Sequence, residues 1–436
     1  MLRIPDKHLL RSIAALAAPA VVTNLTTPVL ALCDVAIVGH MGNAVFIAAI
    51  AVGGTMFNML YWLCGFLRMG SSGTTAQAYG AGDIEGAHVI GRRALLLALA
   101  MGLVFILLRF PLCEALMKLI DAQGATDEMA SQYFLICIWG APAVLSTFVL
   151  TGWFLGMQNS RIPMWVSVFT VLFNILVSVV LVFRAGLKIE GVAYGTLSAQ
   201  WAGLIVAFIA YLKRYGMPRV DMRRFFDMSE ISRFFRINSD IFLRTLCLVA
   251  VTMWFTRIGA MQGTVMLAVN TLLMQLFTIF SYMMDGIAFS AEALCGRYSG
   301  AGDNAALKRT VNGLMTLGVI FSVAFTLVYF FGGDAFLSIL SSNHEVVNRA
   351  GEYEGWAVSI PVVSVMAFVW DGIMIGLTRT RAMLLSMLIG AIIYFGLYFM
   401  LFPHIGNHGL WIAFLSYLFA RGLTLYIIGM RDLRKG

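Results

Sequence analysis

Tyr79-Gly80-Ala81-Gly82-Asp83 returns as Ser299-Gly300-Ala301-Gly302-Asp303, 220 residues further on. Other pairs share that spacing. Gly156-Met-Gln-Asn-Ser-Arg161 matches Gly376-Leu-Thr-Arg-Thr-Arg381 at 220, Gly39 matches Gly259 at 220, and Leu197-Ser198 matches Leu415-Ser416 at 218. Four matches in one order at nearly one spacing mark an internal duplication.

What is duplicated is apolar. Of 436 residues, 60% are hydrophobic and 12% charged, against about 25% charged in a soluble domain. So little polar surface cannot cover a globule in water, so the solvent is lipid. The apolar residues form long continuous runs rather than the alternating segments of a barrel, and only helices or closed barrels satisfy their backbone in lipid. Spans are predicted at 9–38, 45–69, 90–110, 129–153, 162–184, 190–213, 231–259, 264–290, 305–332, 353–377, 382–402 and 407–430. The third has the shortest apolar centre, between Arg92, Arg93 and Arg109, whose long side chains can snorkel to the interfaces. Each copy holds six spans, an even number, so the second enters the bilayer in the same sense as the first. The expected fold is an all-α integral membrane protein. Its twelve transmembrane helices form two parallel six-helix lobes with pseudo-two-fold symmetry along the membrane normal. The expected division is 1–215, a linker at 216–230, and 231–436.

The net charge of +8 does not point to nucleic acid, because the basic residues sit in short loops between apolar runs. Of the 30 lysines and arginines, 22 fall on the side that carries both termini, Arg3, Arg219 and Lys435 among them, so both termini are expected in the cytoplasm. No secretory signal is expected: the N-terminal apolar stretch continues into a full span. The linker is basic and carries Phe225 and Phe226. It is read equally as a segment lying on an anionic membrane surface or as a solvated connection. The six cysteines form no Cys-X-X-Cys pair and read as small packing residues. The Gly-Ala-Gly-Asp motif lacks the lysine and strand of a phosphate-binding loop, so Asp83 and Asp303 read as helix caps. Neither a His-Glu-X-X-His motif nor a Gly-X-Ser-X-Gly motif paired with a membrane histidine is present, so no enzyme is expected. His404 and His408, four apart beside a Gly-rich turn with no nearby carboxylate or thiol, are not read as a metal site.

Ionisable side chains inside a bilayer cost several kcal/mol, about 2.5–3.5 by insertion scales, so they are functional candidates. Asp34, Asp240, Arg244, Asp285, Glu292, Asp371 and Arg421 qualify. Asp34 is favoured, because no basic residue lies within helical reach on its own helix. A carboxyl group desolvated without a counter-ion can take up and release a proton near neutral pH. Pro19 and Pro28 on the same helix each remove a backbone hydrogen bond and permit a bend. Asn174 and Ser178 share one face of the fifth span, and Thr196 and Gln200 one face of the sixth; both faces read equally as lining for Asp34 or as interhelical glue. Gln200, Asp240, Arg244, Asp285 and Asp371 are the candidate cavity residues. In the second half a static ion-pair network is favoured, with Arg244 bound to Asp240, Asp285 or Asp371. Arg421 needs a carboxylate that the sequence does not name. The 26 methionines and 32 phenylalanines suit an adaptable cavity, though most serve as core or lipid-facing residues.

The order of these motifs resembles the MATE (multidrug and toxic compound extrusion) family, and its DinF-type branch in particular. Asp34-Val-Ala-Ile-Val-Gly-His looks like that family's first-helix signature. Tyr282-Met-Met-Asp285-Gly-Ile-Ala-Phe-Ser-Ala-Glu292-Ala-Leu-Cys-Gly-Arg resembles the eighth helix, Trp370-Asp371-Gly-Ile-Met-Ile-Gly the tenth, and Arg236-Ile-Asn238 through Arg244-Thr245 the seventh. The resemblance covers nearly the whole chain. It implies a twelve-helix transporter, with no cofactor, that exports amphipathic or cationic organic compounds against an inward flow of H+ or Na+. It places the ion-coupling site at Asp34, Asn174, Ser178 and Thr196, and the bending proline at Pro19. It also implies a bacterial inner membrane. Two positions depart from the pattern: Ser178 stands where relatives have an acid, and Leu30 where they have a tyrosine. A single carboxylate in the pocket favours protons over Na+. The partners expected are a lipid bilayer and a small amphipathic substrate, with no nucleic acid and a functional monomer. The alternative is a flippase for lipid-linked oligosaccharides or lipids, which would want a more basic cavity than Arg244 and Arg421 supply. A non-transporting scaffold is disfavoured by the repeat and by the unpaired Asp34.

Overall fold

The computed structural model describes residues 5–40, 44–120, 125–216, 218, 221–340 and 344–435. Arg3 and Arg219, counted above toward orientation, lie outside the described residues, as does part of the linker. Among the described residues the chain is helical throughout, with no strand. Twelve helical segments are long and apolar enough to cross a bilayer: Lys7–Gly39, Val45–Gly80, Ile84–Leu107, Thr126–Gly156, Arg161–Arg184, Ile189–Tyr215, Met228–Met261, Thr264–Gly300, Asn304–Gly333, Glu354–Gly376, Thr380–Ile405 and Asn407–Arg434. They are called the first to twelfth spans below.

Every expected span is present, and most are longer than the apolar runs that announced them, the second and eighth most of all. The second runs on to Gly80 and the eighth to Gly300. Hydropathy reports where lipid contact ends, whereas a helix continues wherever its residues can pack. Both extensions are built from small residues buried against a neighbour, such as Gly70, Ser71 and Ser72 in one and Ser290, Ala291 and Ala293 in the other. The second span also breaks once, at Cys64 and Gly65, where the Cys64 amide bonds the Tyr61 carbonyl at 3.0 Å, three residues back.

The duplication is visible in the backbone. Gly82 and Gly302 adopt φ of 75° and 70°, and the next residue caps the following helix in each copy. Asp83 Oδ1 accepts the Gly86 amide at 2.9 Å, and Asp303 Oδ1 the Ala306 amide at 2.9 Å. Gln158 and Thr378, again 220 apart, are the two non-glycine residues with positive φ among those described. A Cβ on Gly152 would meet the Arg68 carbonyl at 2.1 Å, and one on Gly372 would meet the Ala288 carbonyl at 2.3 Å. Thus the fourth span lies on the second as the tenth lies on the eighth, each through a glycine that lets two helix backbones touch.

The chain forms two compact units. The N-half unit comprises Pro19–Ser232, and the C-half unit comprises Arg233–Gly436 together with Met1–Ala18. The first helix is unbroken from Lys7 to Gly39 despite both prolines, and the division between units falls within it, immediately before Pro19. Near that proline the Thr23 hydroxyl donates to the Pro19 carbonyl at 3.0 Å.

Candidate functional site

In the N-half unit four spans supply one buried polar cluster. Asp34 is 5% exposed, and its Oδ1 has no hydrogen-bond partner among the described residues. Tyr133 and Cys137 of the fourth span lie near it, and the Tyr133 hydroxyl lies beside Thr196 and Cys137. Thr196 in turn accepts the Asn174 side-chain amide at 3.0 Å. Ser178 sits against Gly195, where a Cβ would meet its Oγ at 2.0 Å; the missing side chain is what lets the fifth and sixth spans close here. The structure therefore brings Asn174, Ser178 and Thr196 together and connects them to Asp34 through Tyr133. Gln200, one turn beyond Thr196, faces Gly140 instead, and its Oε1 has no partner among the described residues.

Tyr133 and Cys137 are the residues the sequence reading missed. They are four apart in the run Tyr133-Phe-Leu-Ile-Cys137, hence on one helix face, and that spacing was the available signal. Two irregular turns flank the cluster. A 3-10 turn covers Ile138–Gly140, directly after Cys137, and a π-helical turn covers Val180–Arg184, two residues past Ser178. The first lies within the fourth span and the second closes the fifth, and a departure inside a span is common at functional positions. The buried oxygens Asp34 Oδ1, Asn174 Oδ1 and Ser178 Oγ all lack partners among the described residues. Desolvated acceptors cost free energy until a donor or a cation reaches them. The arrangement can thus bind a proton or a small cation.

The C-half unit holds a different kind of carboxylate. Asp371, on the tenth span, accepts from both Arg244 of the seventh and Arg421 of the twelfth through the same oxygen, Oδ2. All three side chains are buried. Of the partners weighed for Arg244, Asp371 forms an ion pair with it, and the carboxylate that Arg421 required is the same residue. Asp240 does not pair with Arg244: one turn separates them, but Asp240 accepts the Thr380 hydroxyl at 2.7 Å. Asp285 and Glu292 lie within electrostatic reach of Arg244, and Glu292 is buried.

Neither Arg92 nor Arg93 of the third span points freely to solvent. Arg92 donates to the Pro218 carbonyl, and Arg93 to carbonyls of the linker. His408 is tied to the tenth span, with Nδ1 accepting the Trp356 indole N–H at 3.0 Å. Among the described residues no three His, Cys, Asp or Glu side chains gather as a metal site would need.

Comparison with known proteins agrees with this architecture. The MatE family model matches residues 19–180 and 240–400, one match in each copy of the repeat. The chain is 34% identical over 423 residues to the DNA damage-inducible protein F of Escherichia coli, covering 97% of this chain and 92% of that one. It is 20% identical over 378 residues to the multidrug export protein MepA of Staphylococcus aureus, covering 86% and 83%. The crystal structure of a MATE protein in its bent conformation superposes with a TM-score of 0.87 at 19% identity, over 98% of this chain and 96% of that one. With its fold and both halves matched over nearly their full length, the chain belongs to the MatE family and is a multi-pass membrane transporter, not an enzyme.

Proposed function

We propose that this transporter exports amphipathic or cationic organic compounds in exchange for protons, with Asp34 as the coupling group. The observation that carries this reading is the burial of Asp34 with an unpartnered oxygen beside a hydroxyl and amide network. Asn174, Ser178 and Thr196 complete the coupling site, and Ser178, which carries no charge, leaves Asp34 as its carboxylate. One carboxylate with neutral neighbours suits a proton better than Na+, since one covalent bond to a proton cancels its lone charge outright. A proton entering from outside neutralises Asp34 and weakens its hold on the network. The first helix then bends at Pro19 and Pro28, and the N-half unit loses its substrate. Loss of the proton to the inside resets the cycle. Such a shift requires the proton to bind the two conformations with different affinity. The division of the units next to Pro19 supports a bend there. We assign Gln200 in the N-half unit, and Asp240 and Asp285 in the C-half unit, to substrate contact, with Arg244 and Asp371 as a fixed wall. Both termini lie in the cytoplasm, the bilayer is a bacterial inner membrane, and the monomer is the working unit.

The test is dye efflux from proteoliposomes under an imposed pH gradient, comparing wild type with Asp34→Asn at equal protein density. Export by wild type and none by the variant supports the reading. Equal export by both removes Asp34 from the mechanism. A wild type driven by a Na+ gradient and indifferent to pH would replace the proton.

A further inference from the structure

The segment joining the two halves has two faces. One is bound to the start of the third span. Arg93, 8% exposed, donates Nε to the Phe225 carbonyl at 3.0 Å, Nη1 to Glu230 Oε2 at 2.9 Å, and Nη2 to the Arg224 carbonyl. Arg224 pairs with Asp83, the residue that caps that span, and the Asp221 amide donates to Glu85 at 3.2 Å. The Phe225 ring stands 5.8 Å from the Arg93 guanidinium. These contacts consume the inner side of the short helix Met222–Phe225.

The other face is unlike a solvated loop. Met222 and Phe226 are each 61% exposed and Met228 76%, with Arg223 exposed among them. Among the described residues Arg223 makes no ion pair, whereas Arg224 next to it makes two. Exposed apolar side chains scattered singly are ordinary, but three beside an unpaired arginine form a patch with a direction. That patch lies between the end of the sixth span at Tyr215 and the start of the seventh at Met228, beside the ends of both. The sixth span ends there in Lys213 and Arg214, which are also exposed. Apolar groups beside span ends lose water by entering the acyl boundary, and a basic group there meets phosphate.

We propose that Met222, Arg223, Phe226 and Met228 form a docking face for anionic phospholipids of the leaflet they border. The inner face is clamped to Asp83 and Arg93, so lipid engagement steadies the start of the third span as well as the linker. The role is independent of the coupling ion.

The full chain, in nanodiscs of phosphatidylcholine alone or with phosphatidylglycerol, is examined by amide hydrogen exchange and by native mass spectrometry of retained lipid. Anionic lipid is expected to slow exchange at 221–229, and Arg223→Gln to lower the preference for phosphatidylglycerol about fivefold, the contribution of one basic residue at a charged surface. Phe226→Ser with Met222→Ser is expected to reduce protection in both lipids. Arg349→Gln, an exposed arginine elsewhere, is the control and should leave the preference unchanged. Equal protection in both nanodiscs overturns the proposal, as does an Arg223→Gln variant indistinguishable from wild type. Full protection by soluble glycerol phosphate, or by an acidic peptide without anionic lipid, overturns it also.

Discussion

Asp34 and Asp371 are both buried carboxylates on spans of one duplicated chain, yet their surroundings are opposite. Asp34 sits among a tyrosine, a thiol and neutral amides, and one of its oxygens has no partner. Asp371 is held by two guanidinium groups. Charge-assisted hydrogen bonds from two guanidinium groups hold Asp371 as a fixed ion-pair partner. The duplication gave both halves the same helices, and the charges packed against each carboxylate left Asp34 outside any ion pair among the described residues and Asp371 doubly paired.

The most severe test of that contrast is Asp371→Asn. It leaves two buried guanidinium groups without their shared counter-ion, at an expected cost of about 3–5 kcal/mol, read as a large fall in thermal unfolding temperature in detergent. Asp34→Asn should stay within about 1 kcal/mol of wild type in the same measurement, since it breaks no ion pair. If the two variants unfold alike, the contrast between the paired and the unpaired carboxylate is lost. Next in size is Thr196→Val, which removes the acceptor of the Asn174 amide and keeps the side chain's shape. An expected loss of about 1–2 kcal/mol would place the network in the folded state's energetics, and no loss would make it incidental.

The smallest effect concerns pH at the linker. The Arg224 guanidinium hydrogen-bonded to Asp83 holds that carboxyl below the usual carboxylate range. A depressed value means the contact stabilises the fold above the unfolded value of about 3.9, and the stabilisation is lost only as pH falls through the lower, folded value. Protection of the 221–230 amides, corrected for intrinsic exchange, should therefore stay flat from pH 8 to about pH 5 and fall only below about pH 4. Asp83 is partly exposed, so the effect is modest. A decline already at pH 6 would point to a histidine and sever the link to Asp83.

Much of the fold could be read without coordinates because lipid imposes a single demand. Every span had to be a continuous apolar run, and runs are legible one residue at a time. The 220-residue repeat was legible for a related reason: Gly82, Gly302 and the positive-φ turns at Gln158 and Thr378 are fixed by local backbone geometry. Helix ends were not legible. Gly80 and Gly300 lie past the apolar runs, and what extends those helices is packing on Gly152, Gly156, Gly372 and Gly376.

The candidate site divides in the same way. Asn174 with Ser178, and Thr196 with Gln200, were paired by spacing along single helices, and three of those four do meet in space. Tyr133 reached the cluster from a fourth helix, and nothing in that helix alone names the helix face it meets. For Arg244 the sequence offered three acids, and the one it met lay 127 residues away, while Asp240, one turn away, turned to Thr380.

By itself, then, the sequence determined that this chain lives in lipid, crosses it in twelve helices and repeats itself once, because hydropathy and turn chemistry are local properties. Only the tertiary structure decided which buried charges are matched and which is left alone. Pairing depends on which helix faces meet, and no single helix carries that information.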